Sequence, residues 1–446
     1  MLQRSWRAIL DLDFNFLEKQ INQLNTISEE GTVVQVVGLK IEAKGFKGFI
    51  GELCTIINNE NKEIPCEIVG FKGNIIYLMP LGELLGISSG CRVIPTKRKL
   101  EVACGDHLLG RILDGKGDPI DGKQLEYGHN YPLENNPPNP LERKMISKIL
   151  PTGIKAIDSL ITCGEGQRIG VFAGSGVGKS TTLGMIAREG KGDVNVICLV
   201  GERGRELLEF IENDLKEEGL KKSVIVCATS EQPPLLRIKS ALTATAIAEY
   251  FRDRGKKVVL MMDSVTRFAM AQREIGLSIG EPPTQKGYTP SVFAMLPKLM
   301  ERAGNGTIGS ITAFYTVLVD SDDFNEPIAD AVRSILDGHI ILSREIASQN
   351  HYPPIDVLNS ISRVMNNIVD SDHKRASSKI RDILSSYKTA EDLINIGAYT
   401  RGTNKKVDLA IKYKDKLNEF LQQGIEDKFL YEDTIKCMHD IAKLFA

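Results

Sequence analysis

The distribution of apolar residues divides the chain into four segments, and each has its own period. We predict an amphipathic helix in residues 1–26, a β-barrel in 27–97, a parallel α/β domain in 98–373 and a helical domain in 374–446. The fold class is therefore α/β, with an N-terminal barrel and a C-terminal helical domain.

The first segment carries large apolar residues on one helical face. Trp6, Leu10, Phe14 and Leu17 recur at i, i+4 and i+3 spacing. Two interpretations remain open: the helix packs on its own domain, or it docks into a groove of a partner.

The barrel prediction comes from short β-branched runs separated by glycine-bearing turns. The runs are Thr32–Val37, Cys66–Val69, Ile75–Met79 and Arg92–Ile94. Within this segment, residues 44–49 interleave lysine and phenylalanine, as a stacking platform for single-stranded nucleic acid would. We favour the alternative, a glycine turn whose phenylalanines face the barrel interior.

Longer apolar runs then alternate with helical patterns, which is typical of a parallel sheet covered by helices on both faces. The predicted strands are Ile169–Ala173, Val194–Val200, Val224–Ala228, Val258–Met262, Ile308–Phe314 and Ile340–Leu342. The strands stop near residue 374. From there Ile380, Ile383, Leu384 and Tyr387 follow helical spacing, and Leu409–Leu421 is also predicted as helix.

Composition narrows the possible function classes. The 446 residues have a formal net charge of −2, so no basic excess indicates a general nucleic-acid or membrane-surface binder. No apolar run approaches the roughly 18 residues of a transmembrane helix, and the charged start does not resemble a signal peptide. The eight cysteines form no CxxC pair, so we expect reduced, mostly buried thiols and no zinc site.

A glycine-rich loop follows the strand that ends at Ala173 and precedes a helical pattern, which is the context of a phosphate-binding loop. Its glycines let backbone N–H groups face the phosphates, and the helix that follows adds a favourable dipole. Lys179 is expected to bridge the β- and γ-phosphates, and the Ser180 hydroxyl to hold Mg²⁺. The expected nucleotide-binding residues here are Gly174, Ser175, Gly176, Val177, Gly178, Lys179, Ser180 and Thr181.

Two predicted strands end in or beside a carboxylate. Asp263 closes the run Val258–Met262, and we expect it to hold Mg²⁺ through water opposite Ser180. Glu202 follows the run that ends at Val200, and it is the candidate to orient and deprotonate the attacking water. Arg203 can add positive charge to the same pocket.

Several long motifs, in order along the chain, resemble the flagellar type III protein export ATPase. This family is related to the α and β subunits of rotary ATP synthases. The motifs occupy residues 174–180, 201–203, 262–274, 280–283, 287–293 and 352–363. The resemblance covers nearly the whole chain and implies a RecA-like ATPase domain and Mg²⁺-dependent hydrolysis of ATP.

The resemblance also implies roles for residues that spacing alone does not assign. Tyr352 resembles the aromatic residue that stacks on adenine, and Arg363 resembles an arginine finger offered to the neighbouring subunit. Arg267 and Arg203 are expected beside the phosphates.

One chain carries both the phosphate loop and the finger, so identical copies in a ring could complete one another's sites. The family expectation is a homohexamer. Expected partners are a regulatory protein at the N-terminal helix, a central stalk protein, chaperone–substrate complexes and the membrane export gate. The implied location is cytoplasmic, peripheral at the inner face of the membrane, and no nucleic acid is expected.

Three other functions remain as alternatives. A virulence-type type III secretion ATPase would use the same chemistry. A rotary ATP synthase subunit is less favoured, because the acidic C-terminal segment of that class is missing. An RNA-driven translocase would need a basic aromatic platform, at which only residues 44–49 hint.

Overall fold

The computed structural model describes residues 29–319, 324 and 326–445. These residues form two compact units, one that ends at Lys99 and one that begins at Leu100. The amphipathic helix predicted in residues 1–26 lies outside the described residues.

The first unit is a closed six-stranded barrel in the order β1-β2-β5-β4-β3-β6, with every neighbouring pair antiparallel. Alternate side chains point inward, as the period of two requires, and Val33, Ile41, Ile56, Ile68 and Leu78 form its core. The barrel prediction is confirmed. The strands are β1 (Gly31–Val37), β2 (Lys40–Lys44), β3 (Leu53–Ile57), β4 (Glu63–Lys72), β5 (Ile75–Pro80) and β6 (Arg92–Pro95).

The two phenylalanines of residues 44–49 lie in different environments. Phe46 packs against the barrel core, as the favoured interpretation predicts. Phe49 is exposed, so the prediction of two inward phenylalanines is only half right.

The second unit is built on a large sheet in the order β17-β16-β10-β15-β13-β11-β12-β8, with β14 paired to β15. The central strands are parallel, whereas β17 and β14 run antiparallel to their neighbours. A separate ribbon pairs β7 with β9. The strands are β7 (Glu101–Cys104), β8 (Ile112–Leu113), β9 (His129–Pro132), β10 (Arg168–Ala173), β11 (Val194–Glu202), β12 (Ser223–Thr229), β13 (Lys257–Asp263), β14 (Gly304–Asn305), β15 (Ser310–Leu318), β16 (Gly338–Leu342) and β17 (Ile361–Ser362).

Helices surround this sheet and continue past it to the C-terminal end of the described chain. They are α1 (Lys155–Leu160), α2 (Lys179–Glu189), α3 (Gly204–Glu209), a π-helix (Phe210–Leu215), α4 (Lys216–Lys221), α5 (Pro234–Arg252), α6 (Val265–Ile279), α7 (Pro290–Met300), α8 (Pro327–Ile335), α9 (Arg344–Ser348), α10 (Met365–Ile368), α11 (Ser371–Asn395), α12 (Lys405–Leu421) and α13 (Tyr431–Lys443), and 3₁₀ turns lie at Asp106–Leu108 and Gln285–Gly287.

The central strands are buried on both faces, which is why they read as continuous apolar runs. All nine residues of β11 are buried. Because parallel strands end at the same edge of a sheet, Ala173, Glu202 and Asp263 are delivered to one edge, where a ligand of an open α/β sheet binds.

The C-terminal helices pack into the same core as the sheet. Ile380 and Ile383 of α11, Leu417 of α12 and Met438 of α13 belong to the apolar cluster that contains β10 and α2. No helix of the described ranges is both long enough and apolar enough to cross a membrane.

All eight cysteines lie in the described residues, and each is a free thiol, as the absence of paired spacings predicts. Seven are buried, and Cys437 on α13 is exposed. Burial raises the pKa of the Cys66 and Cys198 thiols well above the usual range.

Candidate active site

The phosphate-binding loop spans the gap between β10 and α2. Gly176 and Gly178 adopt φ values of +76° and +95°, which L side chains rarely tolerate, so the turn depends on glycine. Gly178 is the residue before the first turn of α2, so the amino end of the helix opens onto the loop.

Lys179 begins α2 and is held by the carboxylate that ends β13. Its Nζ donates to Asp263 Oδ1, and Glu202 Oε1 lies 3.6 Å away. Burial alone would lower the pKa of Lys179, but the two carboxylates outweigh it, and the pKa is raised. The ammonium is thus charged and placed where a phosphate would replace the carboxylates as its partner.

Asp263 also accepts a hydrogen bond from the strand that lies between β10 and β13. The Thr316 hydroxyl on β15 donates to Asp263 Oδ1 over 2.9 Å, and the Asp263 side chain is only 4 % exposed. This hydroxyl fixes the carboxylate without neutralising it. The sequence does not single out Thr316, because a threonine in a strand is ordinary β-sheet composition.

Glu202 ends β11 beside Asp263 and is 8 % exposed. Arg267 donates from Nε to Glu202 Oε1 over 3.3 Å, and Glu206 shares a hydrogen bond with the same carboxyl group. The pKa of Glu202 is raised to about 7, chiefly by burial; the Asp263 charge and the bond to Glu206 also raise it, while Lys179 and Arg267 lower it. A carboxyl group of this pKa can accept a proton near neutrality.

The oxygen donors at this edge fit a magnesium ion. Ser180 lies in the first turn of α2, and the buried Asp263 carboxylate faces Lys179 of the same turn. Hydroxyl and carboxylate oxygens are the donors that a hard cation prefers. Ser180 and Asp263 are therefore the residues that would hold Mg²⁺, which supplies charge neutralisation for a triphosphate when bound.

Tyr352 lies against the phosphate loop despite the distance in sequence. A Cβ built on Gly178 would stand 4.0 Å from Tyr352 Cε1, and the tyrosine is 44 % exposed. An exposed ring beside a phosphate loop can stack on a base, as the resemblance implies.

Arg363 lies at the other end of the sheet. It directly follows β17, where Ser362 pairs with Gly338 at the start of β16, and the phosphate loop lies beyond the opposite end, where Leu342 pairs with Ala173. Gly338 and Leu342 are four residues apart along β16, which corresponds to about 13 Å. Arg363 is exposed, and its guanidinium donates a hydrogen bond to the Arg333 carbonyl over 3.5 Å.

Two further predicted site residues, Arg203 and Thr181, pair with residues other than Lys179, Glu202 and Asp263. The Arg203 side chain is 72 % exposed and pairs with Glu206 at 3.7 Å. The Thr181 hydroxyl bonds to the Asp214 carboxylate on the π-helix. Their predicted contacts with phosphate remain predictions.

The structure adds Arg344 to the neighbourhood of the loop. A Cβ built on Gly174 would stand 2.8 Å from Arg344 Nη2, so this guanidinium lies across the first turn of the loop. No pattern indicates this, since Arg344 begins a five-residue helix.

Comparison with protein families identifies three matching domains, which together cover most of the chain. The β-barrel domain of the ATP synthase alpha/beta family matches residues 33–97, and the nucleotide-binding domain of that family matches residues 153–362. The T3SS EscN ATPase C-terminal domain matches residues 369–440.

Individual relatives match over nearly their full length. The flagellum-specific ATP synthase of Bacillus subtilis is 54% identical over 94% of this chain and 96% of its own. The type 3 secretion system ATPase of Xanthomonas euvesicatoria is 49% identical over 95% of this chain and 97% of its own.

Solved structures agree with the fold. The assembled ATPase EscN of the enteropathogenic E. coli type III secretion system is 46% identical, with a TM-score of 0.88 over 92% of this chain and 100% of its own. EscN in complex with its central stalk EscO is 45% identical, with a TM-score of 0.86 over the same shares. The chain therefore belongs to the family of flagellum-specific ATP synthases and type III secretion system ATPases, and it is an ATPase.

Proposed function

We propose that this ATPase works as a homo-oligomeric ring, a hexamer, that energises flagellar type III protein export. The observation that carries the catalytic part is the buried cluster of Lys179, Glu202 and Asp263 at the sheet edge beside the phosphate loop. The relatives support the export part, because the flagellum-specific relative from Bacillus subtilis is 54% identical along the chain.

In the proposed mechanism, Lys179 exchanges its carboxylate partners for the β- and γ-phosphate oxygens. The loop N–H groups and the amino end of α2 bind the same phosphates, and Tyr352 orients the base. Glu202 orients the attacking water and accepts its proton, and Arg267 keeps the Glu202 carboxylate in place.

Arg363 is the proposed finger for the next copy in the ring. Within one chain it lies about 13 Å along the sheet from the phosphate loop, too far to serve its own site. A heterologous contact between copies would bring it to a neighbour's γ-phosphate. The assembled state of the related EscN supports this arrangement.

A virulence-type secretion ATPase is the second candidate. The 49% identity to the Xanthomonas euvesicatoria enzyme and the structural match to EscN favour it, and the site chemistry would be the same.

The proposed partners follow from the same relatives. EscN binds a central stalk, EscO, and we propose an equivalent stalk protein here. We also propose a regulatory protein at residues 1–26, export chaperone–substrate complexes, and a cytoplasmic location at the inner face of the membrane, beside the export gate.

Complementation tests the proposed function. In a Bacillus subtilis strain that lacks its flagellum-specific ATP synthase, the wild-type chain should restore secretion of flagellar filament protein, and Lys179→Ala should not. Lys374→Ala, which removes an exposed amine on α11, is the matched control and should restore secretion. Failure of the wild-type chain, together with rescue of a strain that lacks a virulence secretion ATPase, would favour the second candidate.

A further inference from the structure

The segment that joins α12 to α13, residues 422–430, contacts several separate parts of the nucleotide-binding fold. We call it the α12–α13 connector. It reaches the start of α1, the Tyr352 segment, the carboxyl end of α2 and helix α4. A short loop with contacts on so many elements can transmit a displacement of the C-terminal helices to the nucleotide pocket.

Gln423 makes the buried contacts of the connector with α1 and the Tyr352 segment, and it is 5 % exposed. Its Oε1 accepts from the Lys155 N–H over 2.9 Å, and its Nε2 donates to the Gly153 carbonyl over 2.8 Å. Its backbone N–H donates to the Tyr352 carbonyl over 2.9 Å. The side chain thus fixes Gln423 against α1, and the backbone then fixes Tyr352.

The other side-chain contacts of the connector lie away from Tyr352. The buried Arg188 donates to the Ile425 carbonyl over 2.6 Å at the carboxyl end of α2, and the ion pairs are exposed. Lys216 pairs with Glu426 at 2.6 Å and Lys428 with Glu218 at 3.1 Å, all with side chains at the surface. Exposed pairs of this kind contribute little to stability. The connection to the nucleotide pocket therefore depends chiefly on Gln423.

Lys155 strengthens the same junction from the other side. Its ammonium lies 4.5 Å from the centre of the Phe429 ring in the connector and donates to the Glu419 carbonyl over 3.3 Å. The start of α1 is thereby joined to the last turn of α12 and to the connector.

The Tyr352 ring is exposed, so its place over the loop depends on how its backbone is held. On one side the Ser343 N–H donates to the Pro354 carbonyl over 2.8 Å, and on the other Gln423 holds the Tyr352 carbonyl. The second bond comes from the C-terminal helical domain.

We propose that Gln423 is a positioning residue that holds Tyr352 over the phosphate loop and makes affinity for the nucleotide base depend on the C-terminal helices. This inference rests on the proposed contact of Tyr352 with the base. A partner that moves α12 and α13 would then change base affinity without touching the phosphate site.

Steady-state kinetics of the full chain with two substrates tests this proposal. Gln423→Leu removes the amide bonds at similar volume, so the KM for ATP should rise about tenfold, with kcat changed by less than about threefold. The KM for ribose 5-triphosphate, which lacks a base, should stay within about twofold, since Tyr352 acts only on the base. Gln423→Asn, whose amide is one methylene short, provides the same measurement if the leucine variant does not fold.

Met438→Ala is the matched control for general loosening of the helical domain. Met438 is fully buried on α13, so this variant should lower the melting temperature and leave the KM for ATP unchanged. A rise in KM for both substrates in the Gln423 variant, or no rise for ATP, would overturn the proposal.

Tyr352→Ala separates this inference from the proposed function. If it raises the KM for ATP while Gln423→Leu does not, the positioning role alone is wrong. If Tyr352→Ala leaves the KM unchanged, the base contact is wrong and the inference falls with it. The double variant should bind ATP no more weakly than Tyr352→Ala, because both changes remove one interaction.

Discussion

At the residue scale, Glu202 combines burial with partners of both signs. Burial and the Asp263 charge raise its pKa to about 7, while Lys179 and Arg267 keep the ionised form accessible. A carboxyl group in water would be fully ionised at neutral pH and a weak base. This environment makes Glu202 a stronger base while leaving much of it ionised at that pH.

The acid side of the pH profile should therefore report Glu202. A base acts in its ionised form, and Glu202 is ionised above a pKa of about 7, so kcat/KM should fall as pH drops through that value. Initial rates from about pH 5.5 to about pH 9 measure it. Glu202→Gln should lose roughly 10²–10⁴ in rate and lack this transition.

Glu212→Gln is the control for this experiment, because Glu212 is exposed on the π-helix. It should keep the wild-type profile. A wild-type profile that stays flat through pH 7 would assign the proton transfer to another group.

The residues of the site differ in how far the sequence predicts them. Glu202 and Asp263 could be placed because apolar runs lead directly to them and parallel strands end at one edge. Tyr352 and Arg363 depend on family resemblance, since no local period brings distant segments together. Gln423 could not be predicted, because a glutamine after an amphipathic helix looks like an ordinary surface residue.

At the element scale, α2 owes its close approach to the π-helix to Gly184. A Cβ on Gly184 would stand 2.7 Å from Asp214 Cβ and 2.8 Å from the Asp214 carbonyl oxygen. Asp214 also accepts a hydrogen bond from Thr181 in the first turn of α2. Asp214 thus joins the π-helix to α2 through both its backbone and its side chain.

Gly184→Val should destabilise the nucleotide-binding unit. The added side chain must displace backbone, which costs about 1–3 kcal/mol, and urea denaturation should measure this loss. Gly82→Val is the control, because a Cβ there meets nothing within 4 Å. Equal stability of the two variants would contradict this account of the packing.

Sequence patterns miss or misplace some elements, and each such error has a physical reason. Strand β2, Lys40–Lys44, has the alternation of a half-buried strand, but Ile41 is its only β-branched residue, so a search for β-branched runs misses it. Strand β15 is predicted at Ile308–Phe314 but runs Ser310–Leu318, because Ile308 is exposed in the turn before it. The long helix α11, by contrast, contains the predicted spacing from Ile380 to Tyr387.

At the scale of the whole molecule, each chain presents the phosphate loop at the carboxyl ends of its parallel strands and Arg363 near their amino ends. A lone chain would then have an incomplete site under the proposed mechanism. Specific activity should therefore rise with protein concentration as copies associate.

Arg363→Ala should lower kcat by roughly 10³–10⁵, with nucleotide affinity less affected. Mixing it with Glu202→Gln should restore activity, because some interfaces of mixed rings would pair an intact Glu202 with an intact Arg363. Arg375→Ala, at an exposed arginine of α11, is the control and should behave as wild type. Full activity of dilute single chains, or mixtures no more active than their components, would contradict shared sites.

The distribution of thiols has a practical consequence. Cys437 alone among the eight cysteines is exposed, and it lies close enough to Lys155 to interact with it electrostatically. A maleimide dye added to the unaltered protein would attach at this one position, in mildly alkaline buffer because partial burial raises the pKa of the thiol. The native chain thus offers a fluorescent reporter beside the Lys155–Gln423 junction without any engineered cysteine.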